Sequence, residues 1–264
     1  GNSPFDTLYN ISTARELERF DQGGFRVTKV EIRFAANEKS ELSLHEFYEQ
    51  SPARNLVGEF MILANEYMAR FAAEQNLPFI YRCQDPPDMP RPTIPDHLTG
   101  PALQYLQRAG LRPSSTQTNP GAHHMLGVPY YAQATSPIRR YLDLCNQRQI
   151  RNLLLHAEPL YSSEELNQLI EKVNLAQKRA GLVVRESHRQ LILTYLWQQR
   201  KTIAELKGTV LRTDMKNPLL ELDLIYMPYV ARLKTPVAVG DERFFRIKRV
   251  DPILDDFVLE EIVE

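Results

Sequence analysis

Residues 131–149, YAQATSPIRRYLDLCNQRQ, put charged side chains where local rules advise against them. The Ser-Pro pair predicts the opening of a helix, with Ser136 as N-cap and Pro137 at the first helical position. The next turn then carries Arg139 and Arg140. That turn is the positive pole of the backbone dipole, so cations there cost helix stability. Its free N–H groups already favour an anion, and two guanidiniums concentrate positive potential in the same place. Arginine offers a planar fork matched to phosphate oxygens. A local rule broken without visible compensation marks a candidate site. Asp143, at i+3 from Arg140 and i+4 from Arg139, can hold one fork in place. Two readings stay open on residue types alone: a phosphate site, or two surface arginines neutralised by Asp143.

The elements that must position this stretch are legible in part. STARELERF (12–20) reads as a short helix ending near Gly23-Gly24, and FRVTKVEIRF (25–34) as a strand or hairpin arm. Residues 54–76 predict a strong helix with an apolar stripe of Leu56, Val57, Phe60, Met61, Ala64, Tyr67, Met68 and Phe71. Glu59 and Glu66 fall off that stripe and read as solvated surface. Five prolines in 84–100 predict an irregular crossing, followed by a short helix at 101–109. PGAHHMLGVPYYAQA (120–134) reads as a turn and an extended segment delivering the chain to Ser136. A helix is predicted from Pro137 to about His156. Ser162 and Glu165 form a capping box that opens a helical stretch to about Arg200, with a break expected near Gly181.

From about Thr202 the pattern becomes five short β-type runs, KGTVLRT, LLELDLI, YVARLK, ERFFRIKRV and DFVLEEIVE. Five strands in so short a span suggest a small OB-like barrel, a module that often grips single-stranded nucleic acid. Acidic residues outnumber basic ones there, which leaves a structural cap or lid as the alternative. The fold class is therefore α+β.

The chain has 264 residues, 43% hydrophobic and 25% charged, with a net charge of −1. Near-neutrality argues against a nonspecific polyanion binder. It conceals an asymmetry: residues 139–201 hold 11 Lys/Arg against 6 Asp/Glu. A basic segment in a neutral protein suggests a local anion site, with a solvated helix face as the alternative. Cys83 and Cys145 lie far apart without framework spacing, as expected for a reducing, cytoplasmic setting. There is no 18-residue apolar run to suggest a membrane span. Gly1-Asn2-Ser3 is compatible with an expression remnant or with a chain that begins partway through a longer protein.

TSPIRRYLDL resembles the signature of the RNB (ribonuclease II/R) family of exoribonucleases. Three further stretches resemble that family in the same order. LVGEFMILANEYMA is similar to its glutamate-containing helix and YRCQDPP to its Tyr-Arg segment. PGAHHMLGVPYYAQATSPIRR is similar to the Pro-Gly-x-His, Leu-Gly, Tyr-Ala lead-in. Gln84 and Gln133, where many members have histidine, resemble the cyanobacterial and organellar branch.

The resemblance implies that residues 1–201 are the C-terminal part of an RNB catalytic domain and 202–264 an OB-like RNA-binding barrel. It implies a hydrolytic 3′-to-5′ exoribonuclease that acts on single-stranded RNA and releases 5′-mononucleotides with Mg²⁺. Arg139 matches the catalytic arginine, placed to neutralise charge developing on the scissile phosphate. Glu59 matches a 3′-terminal ribose contact, although Gly58 departs from the usual acidic neighbour. Arg82, His123, Tyr131, Ser136 and Arg140 are implied RNA-binding residues.

The family's metal-binding Asp-Pro…Asp-x-Asp-Asp motif belongs far upstream of the glutamate helix and has no counterpart here. The Mg²⁺ ligands are therefore expected outside these residues, on the N-terminal portion of the same protein as a partner. VDPILDDF (250–257) resembles such a motif in composition only and reads as a charged hairpin loop. The alternative is a catalytically inactive RNB-like RNA-binding adaptor.

Overall fold

The computed structural model describes residues 3–26, 30–48, 51–88 and 93–263. The first elements are α1 (Pro4–Asp21), β1 (Val30–Ala36), β2 (Leu42–Tyr48), α2 (Pro52–Glu74) and β3 (Tyr81–Cys83). Then come α3 (Gly100–Arg108), β4 (Ser115–Gln117), a 3₁₀ turn at His124–Leu126, α4 (Tyr141–His156) and α5 (Ser163–Gln199). Five strands end the chain: β5 (Leu206–Arg212), β6 (Leu219–Leu222), β7 (Met227–Val230), β8 (Glu242–Asp251) and β9 (Asp256–Glu261). Two compact units result. One holds Gly1–Arg26, Gln50–Pro90 and Gly110–Ala180; the other holds Val27–Glu49, Arg91–Ala109 and Gly181–Glu264.

In the second unit the five predicted strands form one antiparallel sheet in the order β7-β6-β5-β8-β9. Register shifts in β5 after Val210 and in β8 after Ile247 let it curl. It is a half-barrel: β7 and β9 are not paired by a ladder, but the Tyr229 hydroxyl accepts the Leu259 N–H at 3.1 Å. Leu206, Val210, Leu220, Leu222, Ile225 and Phe245 fill its interior with Leu193 and Leu196 of α5. The β1–β2 hairpin packs Ile32 into the same core. Val27–Lys29 of the predicted strand, and residues 89–92 of the proline-rich crossing, lie outside the described residues.

The helices differ from the sequence expectation in four places. Helix α1 begins at Pro4, not at residue 12, because Ser3 and Asp6 make a capping box at its start. The buried face of α2 is not the apolar stripe: Val57 and Tyr67 are more than half exposed, whereas Glu59, Asn65, Glu66, Ala69 and Ala72 are buried. Glu59 and Glu66 are thus interior, made tolerable by arginine partners. Helix α4 begins at Tyr141, so Ser136 is not its N-cap; Pro137–Arg139 form a turn and Arg140 occupies the cap position. Helix α5 runs unbroken through Gly181, capped as predicted by Ser162 and Glu165.

Candidate functional site

The turn bearing the two arginines is built on one carboxylate. Asp143 is 1% exposed, and its Oδ2 accepts the Ser136 backbone N–H at 2.9 Å. The same oxygen accepts Arg140 Nε at 3.0 Å and Nη2 at 2.7 Å. The Arg139 and Arg140 N–H groups both return to the Ser136 carbonyl, at 3.3 and 3.0 Å. The chain is therefore held at its base, and the tip projects: Ile138 is fully exposed and Arg139 is exposed. Among the described residues the Arg139 side chain makes only a long 3.4 Å approach to Ser136 Oγ. The two arginines, equivalent in sequence, divide their work. Arg140 is spent on the turn, and Arg139 is left with its fork available.

The segment leading into this turn hangs on a second hub. Asn65 Oδ1 accepts the Ala134 N–H at 2.9 Å, and its Nδ2 donates to Tyr131 Oη at 3.2 Å and Thr135 Oγ1 at 3.3 Å. On α4, Asn146 grips both polar groups of Ile80 and the Gln133 carbonyl. Burial raises the Tyr131 phenol above its usual range, opposed by the Asn65 hydrogen bond. The His123 ring stacks edge-on against Tyr131 at 5.4 Å. Burial first, then the Arg82 charge, lowers His123 to about 4. Its Nδ1 has no hydrogen-bond partner among the described residues.

Glu59 sits 4% exposed beneath α1, where Arg19 meets it with two N–H groups, Nε at 3.0 Å and Nη2 in a shorter contact. Arg19 Nη1 donates to the Leu126 carbonyl at 2.6 Å. Gly127, at φ +64°, is required there, because a Cβ would collide with the Arg19 carbonyl. A second ladder lies alongside: Glu66 takes Arg15 at 2.8 Å and Arg70 at 2.7 Å. Arg82 reaches the Thr116 hydroxyl at 2.7 Å.

All seven predicted residues fall in the first unit. Arg82 and Arg140 line one pocket with Gln133 and Asp143. Charges of Arg140, Asp143 and Arg19 reach Tyr131, and that of Arg82 reaches His123, so these side chains form one electrostatic neighbourhood. Glu59 is turned away from open space, toward Arg19. Sequence reasoning missed Arg19, Arg15, Asn65, Asn146 and Gln177. Arg19, Arg15, Asn65 and Asn146 find partners dozens of residues away, which no local spacing records.

A metal finds no home in this arrangement. Among the described residues no group of three or more His, Cys, Asp or Glu side chains could hold an ion. In the β8–β9 hairpin the three aspartates are engaged: Asp251 with the N–H groups of Ile253 and Leu254, Asp255 with Arg189, and Asp256 with Arg249. No helix is long and apolar enough to cross a membrane among the described residues. Cys83 and Cys145 are free and buried.

The RNB domain family model matches residues 2–94 and 91–156. An uncharacterized ribonuclease of Synechocystis sp. is 30% identical over all of this chain and 40% of its own length. The chloroplastic/mitochondrial ribonuclease II of Arabidopsis thaliana is 28% identical over 97% of this chain and 33% of its own length. An active-site mutant of the Dss1 exoribonuclease from Candida glabrata superimposes with a TM-score of 0.80 at 19% identity, over 96% of this chain and 34% of that one. The chain thus spans two fifths or less of the length of these relatives. With the family model covering more than half of it, the chain belongs to the RNB domain family, beside its cyanobacterial and organellar ribonucleases.

Proposed function

We propose that this chain is the C-terminal segment of a hydrolytic 3′-to-5′ exoribonuclease that acts on single-stranded RNA and releases 5′-mononucleotides. The observation that carries the reading is the Asp143-braced turn, which leaves Arg139 exposed with its fork unspent. Arg139 is the proposed catalytic residue, meeting charge that develops on the scissile phosphate. Arg140, through Asp143, holds that turn and adds positive potential beside it. Arg82, His123, Tyr131 and Ser136 are proposed to line the RNA path. For Glu59 a 3′-ribose contact would have to use lone pairs beside those already given to Arg19. Residues 1–201 are the proposed C-terminal part of the catalytic domain, and 202–264 the RNA-binding barrel. The proposed cofactor, Mg²⁺, does not fit any ligand set described here, so its ligands are assigned to the N-terminal portion of the same protein. Two free thiols are in keeping with a reducing, cytoplasmic compartment.

The test is Arg139→Ala in the full-length enzyme, with single-turnover cleavage at saturating enzyme and RNA dissociation constants measured together. Loss of one preorganised donor typically costs ~10²–10³ in rate, while ground-state RNA is held by many contacts along the strand. A large fall in the saturated rate with little change in binding is expected. Lysine at 139 should rescue only in part, since a point charge lacks the bidentate fork. A hundredfold loss of binding with the saturated rate intact would make Arg139 a tether. The second reading, an RNA-binding adaptor that does not cut, is favoured by the arginine-occupied Glu59. RNA binding without metal-dependent cleavage by the full-length protein would establish it.

A further inference from the structure

We propose that the pocket between β3, β4 and α4 is a phosphate-binding subsite built on Arg82, Thr116, Gln133 and Gln177. The pocket is about 100 Å³, small beside the ~300–1,000 Å³ of sites that enclose drug-sized ligands. It has room for one small ionic group, not for a base.

Charge decides its sign. Two guanidiniums and one carboxylate line it, and the carboxylate is committed, since Asp143 gives Oδ2 to Arg140 and to the Ser136 N–H. Arg82 is the unbalanced cation. Among the described residues its side-chain bond is to the neutral Thr116 hydroxyl, and it makes no ion pair with a carboxylate. Burial alone lowers its affinity for its proton, the mark of a cation that has lost water without gaining a counter-ion. A partly buried, uncompensated arginine is costly unless something negative joins it.

The rest of the lining suits an oxyanion. Thr116 accepts from Arg82 and keeps its own hydroxyl hydrogen to donate. Gln133 and Gln177 line the pocket, and neither side-chain amide has a hydrogen-bond partner among the described residues. An arginine fork, a hydroxyl and two carboxamides around one small volume match phosphate, which accepts several charge-assisted bonds at once. The subsite rests on the ribonuclease reading only for where its phosphate comes from, a strand phosphodiester or a terminal monoester. The binding itself does not depend on it.

An NMR titration of the 264-residue chain with inorganic phosphate tests the proposal, following Arg82 Nε–H and the amides of Gln133 and Gln177. These signals should move saturably while exposed surface arginines do not. Gln177→Glu, on the exposed surface of α5, should fold normally and weaken phosphate by at least about tenfold through like-charge repulsion. Arg82→Lys should weaken it too, for want of the fork. A 5′-mononucleotide and a dinucleoside monophosphate then separate the two sources, the tighter ligand naming the group the pocket takes. No saturable shift with any of the three ligands, or equal affinity in the parent and Gln177→Glu, overturns the subsite. Neither metal nor cleavage enters the measurement, so the subsite can fail while the ribonuclease reading stands, and the reverse.

Discussion

The half-barrel and the interior around α2 and α4 are built by opposite means. The half-barrel excludes water with Leu206, Val210, Leu220, Leu222, Ile225 and Phe245. The interior around α2 and α4 buries Glu59, Asn65, Glu66, Asp143, Asn146 and Gln149 within a few per cent of full occlusion. Apolar burial is non-directional and tolerates adjustment. Buried polar groups demand their partners, and a missing partner leaves a desolvated charge or dipole. The polar interior sets the position of the Arg139 turn to a single geometry, at the cost of sensitivity to single changes.

Arg19→Ala should produce the largest loss. It would strand Glu59 as a buried carboxylate without a cation, at a cost of about 3–5 kcal/mol. Urea unfolding measures it. Replacing both partners with apolar residues, Arg19→Met with Glu59→Leu, should recover most of the loss, because the desolvation of both charges disappears together. A loss from Arg19→Ala within the ~0–1 kcal/mol of a surface pair would mean that water reaches the pair, and the contrast with the half-barrel would collapse.

Leu220→Ala is the counterpart in the half-barrel. The side chain is fully buried, so its removal should cost about 2–5 kcal/mol, rising with the cavity left behind. The informative quantity is the pattern across unfolding probes. Tryptophan emission from Trp197 and near-ultraviolet signals from the Tyr131 region should separate if the two units melt apart. A single coincident transition for both variants would show that the two kinds of core stand or fall together.

These two kinds of core also explain what could be read in advance. Alternating apolar residues announced all five strands of the half-barrel, and the Ser162–Glu165 pair announced the start of α5, because the information is local. The TSPIRR stretch flagged both arginines through their residue type and place, and only the family resemblance singled out Arg139. The division of labour between Arg139 and Arg140 was hidden, since it follows from a turn that displaces the start of α4 to Tyr141. Glu59 and Glu66 misled for a related reason. Apolar periodicity assigns carboxylates to the outside, and only the position of Arg19 and Arg15, some 40 and 51 residues away, reverses the assignment.

A pH dependence sharpens the contrast further. A histidine in the unfolded chain titrates near ~6.5, and His123 in the fold near 4. Above both values the ring is neutral in both states and contributes nothing. Between them the unfolded chain binds a proton that the folded chain refuses, so stability falls on acidification, by about 2 kcal/mol from pH 7 to pH 5. His123→Gln should remove that part of the decline in melting experiments at the two pH values. An identical decline in parent and variant would show that the ring already finds water or a proton acceptor when folded.

The smallest expected effect concerns Gly181, where a helix break is the natural expectation from sequence. A glycine within a helix costs ~0.5–1 kcal/mol relative to alanine, chiefly because the unfolded chain has more freedom to lose. A hinge would justify that cost, but α5 passes through Gly181 without interruption, and a Cβ placed there would meet open space within 4 Å. Nothing in the local packing requires glycine. Gly181→Ala should therefore stabilise the protein by about 0.5–1 kcal/mol, seen as a small rise in the denaturation midpoint with an unchanged slope. Amide exchange of residues 178–186 should slow in parallel, since local opening of that turn becomes rarer. If alanine instead lowers the midpoint, the backbone at 181 leaves helical geometry in solution and the glycine serves as a joint. Helix α5 would then be two helices rather than one, with the break at the glycine where the sequence suggests it.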